Sequence, residues 1–507
     1  MSKTSLKTTV EWKNLNWRKL ERQVFKLQKR IYKASQRGDV KAVRKLQKTL
    51  IKSWAAKALA VRKVSQDNQG KRTAGVDGVK SLTPVQRLRM AETLKVTGKS
   101  RATRRVWLPK PNTDEKRPLG ILTMYDRALQ ALVKQALEPE WEAKFEPNSY
   151  GFRPARSCHD AIEQIFLELC RTTKYILDAD IAKCFDRINH EELLKKINTY
   201  PTLRKQIKAW LKSGVIDNGA FEETETGTPQ GGVISPLLAN IALHGMETFI
   251  SSVAGQPSQR YTQPHLIRYA DDLVIMHKDI EVILKCQDAL KQWLAPMGLE
   301  LKPSKTRIGH SLEEYNGEKA GFDFLGFNIR QYPTGKAKSL KNGKGKTLGY
   351  TLTIKPSKEK VKLHLAQLKK VIKTHKAASQ AALIKELNPI IKGWSNYYST
   401  VVSKETFSYC DFMVWQKLRA WANRRHNNKN AKFVANKYWK TIQGRKKFTT
   451  RENGGYTLFI HADTPIKRFV KVQNSRSPYD GDWAYWGGRM GKNHLISKRM
   501  FEKSGDH

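Results

Sequence analysis

Apolar positions recur at helical spacing near the start of the chain. Trp17, Leu20, Val24, Leu27 and Ile31 form one stripe, and after a break at Gly38-Asp39 a second runs through Val43, Leu46, Leu50 and Trp54. The pattern predicts a pair of amphipathic helices. Further on, short strand-like runs take over. Arg105–Lys110 and Arg117–Leu122 flank a polar turn and read as a hairpin, and Tyr175–Ile181 reads as a strand. Thr123 with Asp126 caps a helix over Tyr125–Glu138, and Asn189 with Glu192 caps one through Ile197. Ser235 as N-cap and Pro236 at the first helical position start a helix through Met246. Helical spacing returns at Val361, Leu365, Leu368 and Ile372, then from Ser379, then at Val414, Leu418 and Trp421. From about residue 428 Lys, Arg, Trp, Tyr and Gly mix with little periodicity.

One stretch breaks the rule that strands bury apolar side chains. Leu266-Ile267-Arg268-Tyr269-Ala270-Asp271-Asp272-Leu273-Val274-Ile275-Met276 sets two adjacent carboxylates between apolar runs, which predicts a hairpin with the acids at its turn. Neighbours in a regular strand point to opposite faces, so only a turn lets both acids serve one site. Unpaired acids among Leu, Ile and Val are costly to bury and call for a cation, a divalent metal first of all. Asp-Asp is also ordinary turn chemistry. A second acid in the same setting, Asp180 at the end of the Tyr175–Ile181 strand, changes the balance. Two-metal phosphoryl transfer needs carboxylates from separate elements around ions about 3.5–4 Å apart.

Charge narrows the class of partner. The 507 residues carry a formal charge of +48, far beyond what solubility asks, so the expected partner is a polyanion. Residues 1 to 65 hold nineteen Lys and Arg against three acids, and residues 335 to 380 hold thirteen Lys against one. No apolar run reaches the ~18 residues of a membrane span, and no signal-peptide core is present. Nucleic acid in the cytoplasm is therefore favoured over a membrane. Cys158, Cys170, Cys184, Cys286 and Cys410 are odd in number and scattered, which predicts reduced thiols; no Cys-x-x-Cys is available for zinc.

The order of the motifs completes the picture. Asp180-x4-Phe185-Asp186, Gly227-Thr228-Pro229-Gln230-Gly231-Gly232 and Tyr269-Ala270-Asp271-Asp272 resemble the ordered palm motifs of reverse transcriptases. More closely, the chain is similar to the maturase reverse transcriptases of bacterial group II introns, strongly over residues 60 to 425. The resemblance implies an α+β right-hand polymerase. Its divisions would be a basic helical N-terminal extension (1–65), fingers (66–178), palm (179–335), a helical thumb or domain X (336–427) and a basic DNA-binding extension (428–507). By the same resemblance Asp180, Asp271 and Asp272 are catalytic and hold two Mg²⁺ ions. Lys110 and Arg117 hold the triphosphate, Phe185 is the steric gate that crowds a ribose 2′-hydroxyl, Gln230 meets the nascent base pair, and Lys305 neutralises phosphate. Phe324, Leu325 and Gly326 would support the primer's 3′ end, although core packing explains Phe324 equally well. Lys19, Arg22, Lys26, Lys29 and Arg30, on the first basic helix, would grip intron RNA.

The implied partners are the intron RNA, a DNA target and deoxynucleotides, with no membrane and no obligate protein partner. The expected activity is RNA-directed DNA synthesis together with help in splicing and copying the intron during retrohoming. Two other classes remain: an RNA-binding splicing cofactor with a vestigial polymerase, and a reverse transcriptase serving another system. Many relatives continue into a zinc-stapled HNH endonuclease; the absence of zinc-ligand spacing here predicts no zinc and no second-strand nicking by this chain.

Overall fold

The computed structural model describes residues 11–109, 115–217, 219–228, 231–254, 263–450 and 455–492. The chain divides into two compact units. One comprises Met1–Ala161, Leu177–Arg307 and Val472–His507, and the other Ile162–Ile176 and Ile308–Lys471.

In the first unit the basic N-terminal segment forms helices Trp17–Gln36, Val40–Lys52 and Trp54–Arg62. Asn16 and Asp39 cap the first two, their side-chain oxygens accepting from the amides of Lys19 at 3.0 Å and Ala42 at 2.9 Å. Gly38 makes the break in the left-handed region at φ +70°. The second stripe does not run unbroken to Trp54 as its spacing predicts. Ser53 is extended there, and Trp54 opens a helix of its own. Ile31, Leu50 and Val61 are fully buried, and the same core takes in Leu129, Leu132 and Val133 of the helix Met124–Glu142, which Thr123 caps.

The strands β1 (Thr103–Pro109) and β2 (Lys116–Ile121) pair antiparallel with Leu108 opposite Arg117. Next come β3 (Tyr175–Asp180), then β4 (Val215–Asp217) and β5 (Ala220–Glu222), which extend the first hairpin into a sheet ordered β2-β1-β4-β5. Between β3 and β4 the helix His190–Ile197 starts where predicted, Asn189 accepting from the amides of Glu191 and Glu192. The helix expected from Ser235 to Met246 is different. Ser235 lies inside its first turn, Ile234 takes the cap position without a side-chain bond, and the helix ends at Ala242. Gly245, at φ +93°, turns the chain before a new helix Met246–Ser251. Finally β6 (His265–Tyr269) and β7 (Asp272–His277) form the predicted hairpin, and β6, β7 and β3 lie side by side in that order.

The last described residues return to this unit. Tyr479 and Trp483 pack their rings 6.1 and 5.2 Å from Phe25 of the first helix. Arg489 pairs with Asp160 at 2.7 Å with both side chains buried, and Asp160 also accepts from the Val472 amide. Single aromatic anchors at irregular spacing hold this segment, which is why periodicity did not announce it.

After β8 (Arg307–His310), the second unit continues with β9 (Phe322–Phe324), β10 (Phe327–Pro333) and β11 (Tyr350–Pro356), which form a sheet ordered β11-β10-β9. Three helices follow, Lys358–Thr374, Gln380–Tyr398 and Lys404–Arg424, the first two capped by Ser357 and Ser379. Their core of Leu368, Leu387, Val414 and Leu418 includes Val434, Phe448 and Leu458. These last come from the helix Ala431–Tyr438, from the hairpin of β12 (Trp439–Ile442) and β13 (Arg445–Phe448), and from the segment after it. The helical packing therefore runs on past residue 427.

Candidate active site

The site is built where two strands end and begin. β3 finishes at Asp180 and β7 starts at Asp272, and the Ile181 amide donates to the Asp271 carbonyl at 3.2 Å. Carboxylates from two stretches distant in sequence, Asp180 and the Asp271–Asp272 pair, are thereby set at one sheet end. Ala270 and Asp271 form the two-residue turn from β6 to β7, with Ala270 left-handed at φ +60°. A Cβ makes that conformation costly, so the surroundings must hold it.

Arg268 supplies the restraint. Its side chain is 1% exposed and donates to the Ala270 carbonyl at 3.0 Å, Asn240 Oδ1 at 3.1 Å and Ser149 Oγ at 2.8 Å. Asn240 in turn donates to the Gly151 carbonyl at 2.8 Å. Gly151 lies so close that a Cβ there would meet the Ala270 amide nitrogen at 2.4 Å. The loop is itself fixed by Arg153, which forms a buried two-pronged ion pair with Glu142, both contacts 3.0 Å. Arg268 and Asn240 were not singled out from sequence. The signal was there, since an arginine in an apolar strand and an asparagine in an apolar helix both need buried partners.

Electrostatics at the acids is unfavourable as they stand. Burial pushes the Asp272 carboxyl up to about 7, and the fields of Asp271 and Asp180 add to the rise. Burial also raises Asp271, with Asp180 adding and the charges of Lys305 and Arg117 opposing. Lys305 Nζ contacts Asp180 Oδ2 at 2.6 Å, and that bond raises the lysine in turn. The lysine sits on a short turn over Pro303–Lys305 after the Lys302 amide donates to the Asp180 carbonyl at 2.8 Å. Among the described residues no group of three His, Cys, Asp or Glu side chains stands arranged around a metal position. The chemistry of the donor set nevertheless fits a hard divalent ion, because all three groups are carboxylates, and burial together with the neighbouring negative charges raises Asp271 and Asp272 for want of positive charge.

The other predicted residues fall as follows. Arg117 is exposed on β2, and its charge reaches Asp271. Lys110 and Gln230 lie outside the described residues. Phe185 is half-buried on the short helix Cys184–Arg187, its ring edge-on to Phe152 at 6.2 Å. A Cβ on Gly227 would meet the Asp186 carbonyl oxygen at 2.6 Å, so this glycine admits the protein's own backbone. In the second unit, Phe324 is buried, while Leu325 and Gly326 form the β9–β10 turn at φ +50° and +84°. Lys19, Arg22, Lys26 and Arg30 are exposed, whereas Lys29 is half-buried with its stem against Gly481.

Comparison with known proteins gives the family. Residues 108–329 match the reverse transcriptase (RNA-dependent DNA polymerase) family, residues 12–94 the N-terminal domain of reverse transcriptase, and residues 361–439 the group II intron maturase-specific domain. Protein YkfC of Escherichia coli K12 is 32% identical over 318 residues, covering 54% of this chain and 80% of that protein. The group II intron-encoded protein LtrA of Lactococcus lactis is 28% identical over 385 residues, covering 61% of this chain and 63% of LtrA, somewhat under two thirds of its length. Maturase-like protein 1 of Euglena gracilis is 28% identical over 417 residues, 80% of each chain. The chain belongs to the reverse transcriptase–maturase family of group II introns. It joins an RNA-directed DNA polymerase domain, which implies a right-hand polymerase fold, to a maturase-specific domain.

Proposed function

We propose that this chain copies RNA into DNA at the Asp180–Asp271–Asp272 corner, and that it binds its parent intron RNA, promotes splicing and copies the intron after insertion into DNA. The observation that carries the polymerase reading is the backbone bond from Ile181 to Asp271, which brings acids from β3 and from the β6–β7 turn to one place. Asp180 and Asp271 would hold two Mg²⁺ ions, with Asp272 as a third carboxylate. When bound, such ions lower the cost of ionising a primer 3′-hydroxyl and neutralise charge on the departing pyrophosphate.

This chain's residues do the rest. Arg268 holds the turn so that the carboxylates keep their aim without reorganising. Lys305 shields Asp180 until substrate arrives and then serves the phosphates. Arg117, on the β1–β2 hairpin, binds phosphate through its planar fork. Phe185 limits the space at the sugar, which favours deoxynucleotides. Gly326 and Leu325 support the primer end, and the basic faces of the first helix and of the thumb follow nucleic acid backbones.

Primer extension on an RNA template tests this reading. Asp271→Asn should lower extension by roughly a hundredfold or more, and leave RNA affinity and splicing at low Mg²⁺ intact. Undiminished extension would refute the site. Loss of splicing together with extension would refute the separation of the two roles.

A further inference from the structure

The helix Lys404–Arg424 carries aromatic side chains on both its faces, and the fold uses one set. Phe407, Cys410, Val414, Leu418 and Trp421 are buried in the core of the second unit. On the opposite side Tyr409, Phe412 and Trp415 are 51, 53 and 41% exposed. With Arg419 they fall within about 120° of one another at about 100° per residue, a single stripe along roughly three turns. Isolated exposed apolar residues are unremarkable, but three aromatics in one line on a solvent face mark a surface made for contact.

The stripe is already arranged for flat ligands. The Phe412 and Trp415 rings lie 6.1 Å apart and 23° from parallel, and the Arg419 guanidinium stands over Trp415 at 5.5 Å. The nearby acid, Asp411, is turned away and spent on His461, its carboxylate accepting from the His461 ring at 2.6 Å and from the Ala462 amide at 2.9 Å. Glu405, in the first turn, is the remaining acid of this helix. The following helix, Ala431–Tyr438, repeats the device. Phe433 is 43% exposed with Lys429 and Lys437 over its ring at 5.7 and 5.9 Å.

We propose that the outward Tyr409–Phe412–Trp415–Arg419 face is a stacking platform for unpaired bases of an RNA strand. Exposed rings flanked by cations suit a polyanion whose bases are free to lie flat, whereas a duplex hides its base faces and offers phosphates. A basic chain of +48 disfavours another basic surface, including a second copy, as the occupant. The platform rests on the RNA-binding role proposed above and adds which face binds and what it reads.

Full-length protein titrated with a fluorescent single-stranded RNA and with an RNA duplex of equal length tests it. The double substitution Phe412→Ala/Trp415→Ala should weaken single-strand binding roughly tenfold or more, leave duplex binding unchanged and keep the slope of affinity against salt, since no phosphate contact is removed. Trp415→Phe should retain most of the affinity. Because both positions are exposed, an unchanged thermal melt shows that the fold is intact. Equal losses for both RNAs, or unchanged RNA binding with an altered sedimentation coefficient, would overturn the platform in favour of phosphate contact or a protein interface. If wild-type protein binds RNA and the double variant binds it equally well, only the platform falls. If wild-type protein binds neither RNA, the proposed function falls with it.

Discussion

Two hairpin corners of the chain turn through left-handed residues and are held by opposite means. At the β6–β7 corner Ala270 is left-handed, and a buried cation, Arg268, grips its carbonyl. At the β9–β10 corner Leu325 and Gly326 are left-handed, and neutral groups grip them: the Tyr397 and Tyr398 hydroxyls donate to the Leu325 and Gly326 carbonyls at 2.9 and 3.1 Å, and the Ser357 amide to Gly326 at 3.0 Å. The difference follows from what each turn carries. A corner bearing three carboxylates benefits from a positive charge behind it, while a corner of Leu and Gly needs only shape. A charged grip ties the first turn's stability to ions and pH, and the second turn is indifferent to both.

Removing the charged grip should have the largest effect. Arg268→Gln leaves Asn240 Oδ1, the Ala270 carbonyl and Ser149 Oγ short of donors in a dry site, a loss on the order of 3–5 kcal/mol. Its thermal midpoint should fall by more than that of any tyrosine variant, and extension should stay depressed at saturating Mg²⁺. A melt like the wild type's would show that the turn holds itself.

Next comes pH. Asp272 has an ordinary value of 3.8 and is raised to about 7 in the folded chain, so its uncharged form is the favoured one there. The stability it contributes is complete below 3.8 and is lost as pH rises through about 7. Metal-free protein should therefore melt at a lower temperature at pH 8 than at pH 6, and Asp272→Asn should flatten that dependence. Mg²⁺ should raise the midpoint at pH 8 in the wild type more than in the variant. A rising midpoint over this range in metal-free protein would contradict the assignment.

The smallest effect belongs to the neutral turn. Tyr397→Phe and Tyr398→Phe each delete one hydroxyl bond, worth about 1 kcal/mol. Both variants should keep the wild type's response to pH and Mg²⁺. If either changed that response, the two corners would not be independent.

Local patterns read well from sequence where one residue decides one feature. Gly38-Asp39, Thr123, Asn189 and Ser379 stop or start helices as expected, because a left-handed glycine or a side-chain oxygen acts within a few residues of itself. Ser235 instead lies inside the first turn with Ile234 at the cap position, and its helix ends at Ala242, short of the left-handed Gly245. From Val472 onward the order comes from single anchors such as Tyr479, which donates to Glu138 at 3.0 Å, and these leave no repeat to detect.

Alternation of apolar runs with acids determined, without any coordinates, that Asp271 and Asp272 sit at a hairpin turn and that Asp180 ends a strand. It also determined that the chain carries far more positive charge than folding needs. Only tertiary structure decided that β3 and β7 are neighbours, that Arg268 points inward to hold Ala270, and that Trp421 is core while Trp415 on the same helix is exposed. The reason is range. Caps, turns and periodicity are energies between residues a few positions apart, whereas strand order and the choice of buried face are settled by contacts between segments that the chain brings together only when it folds.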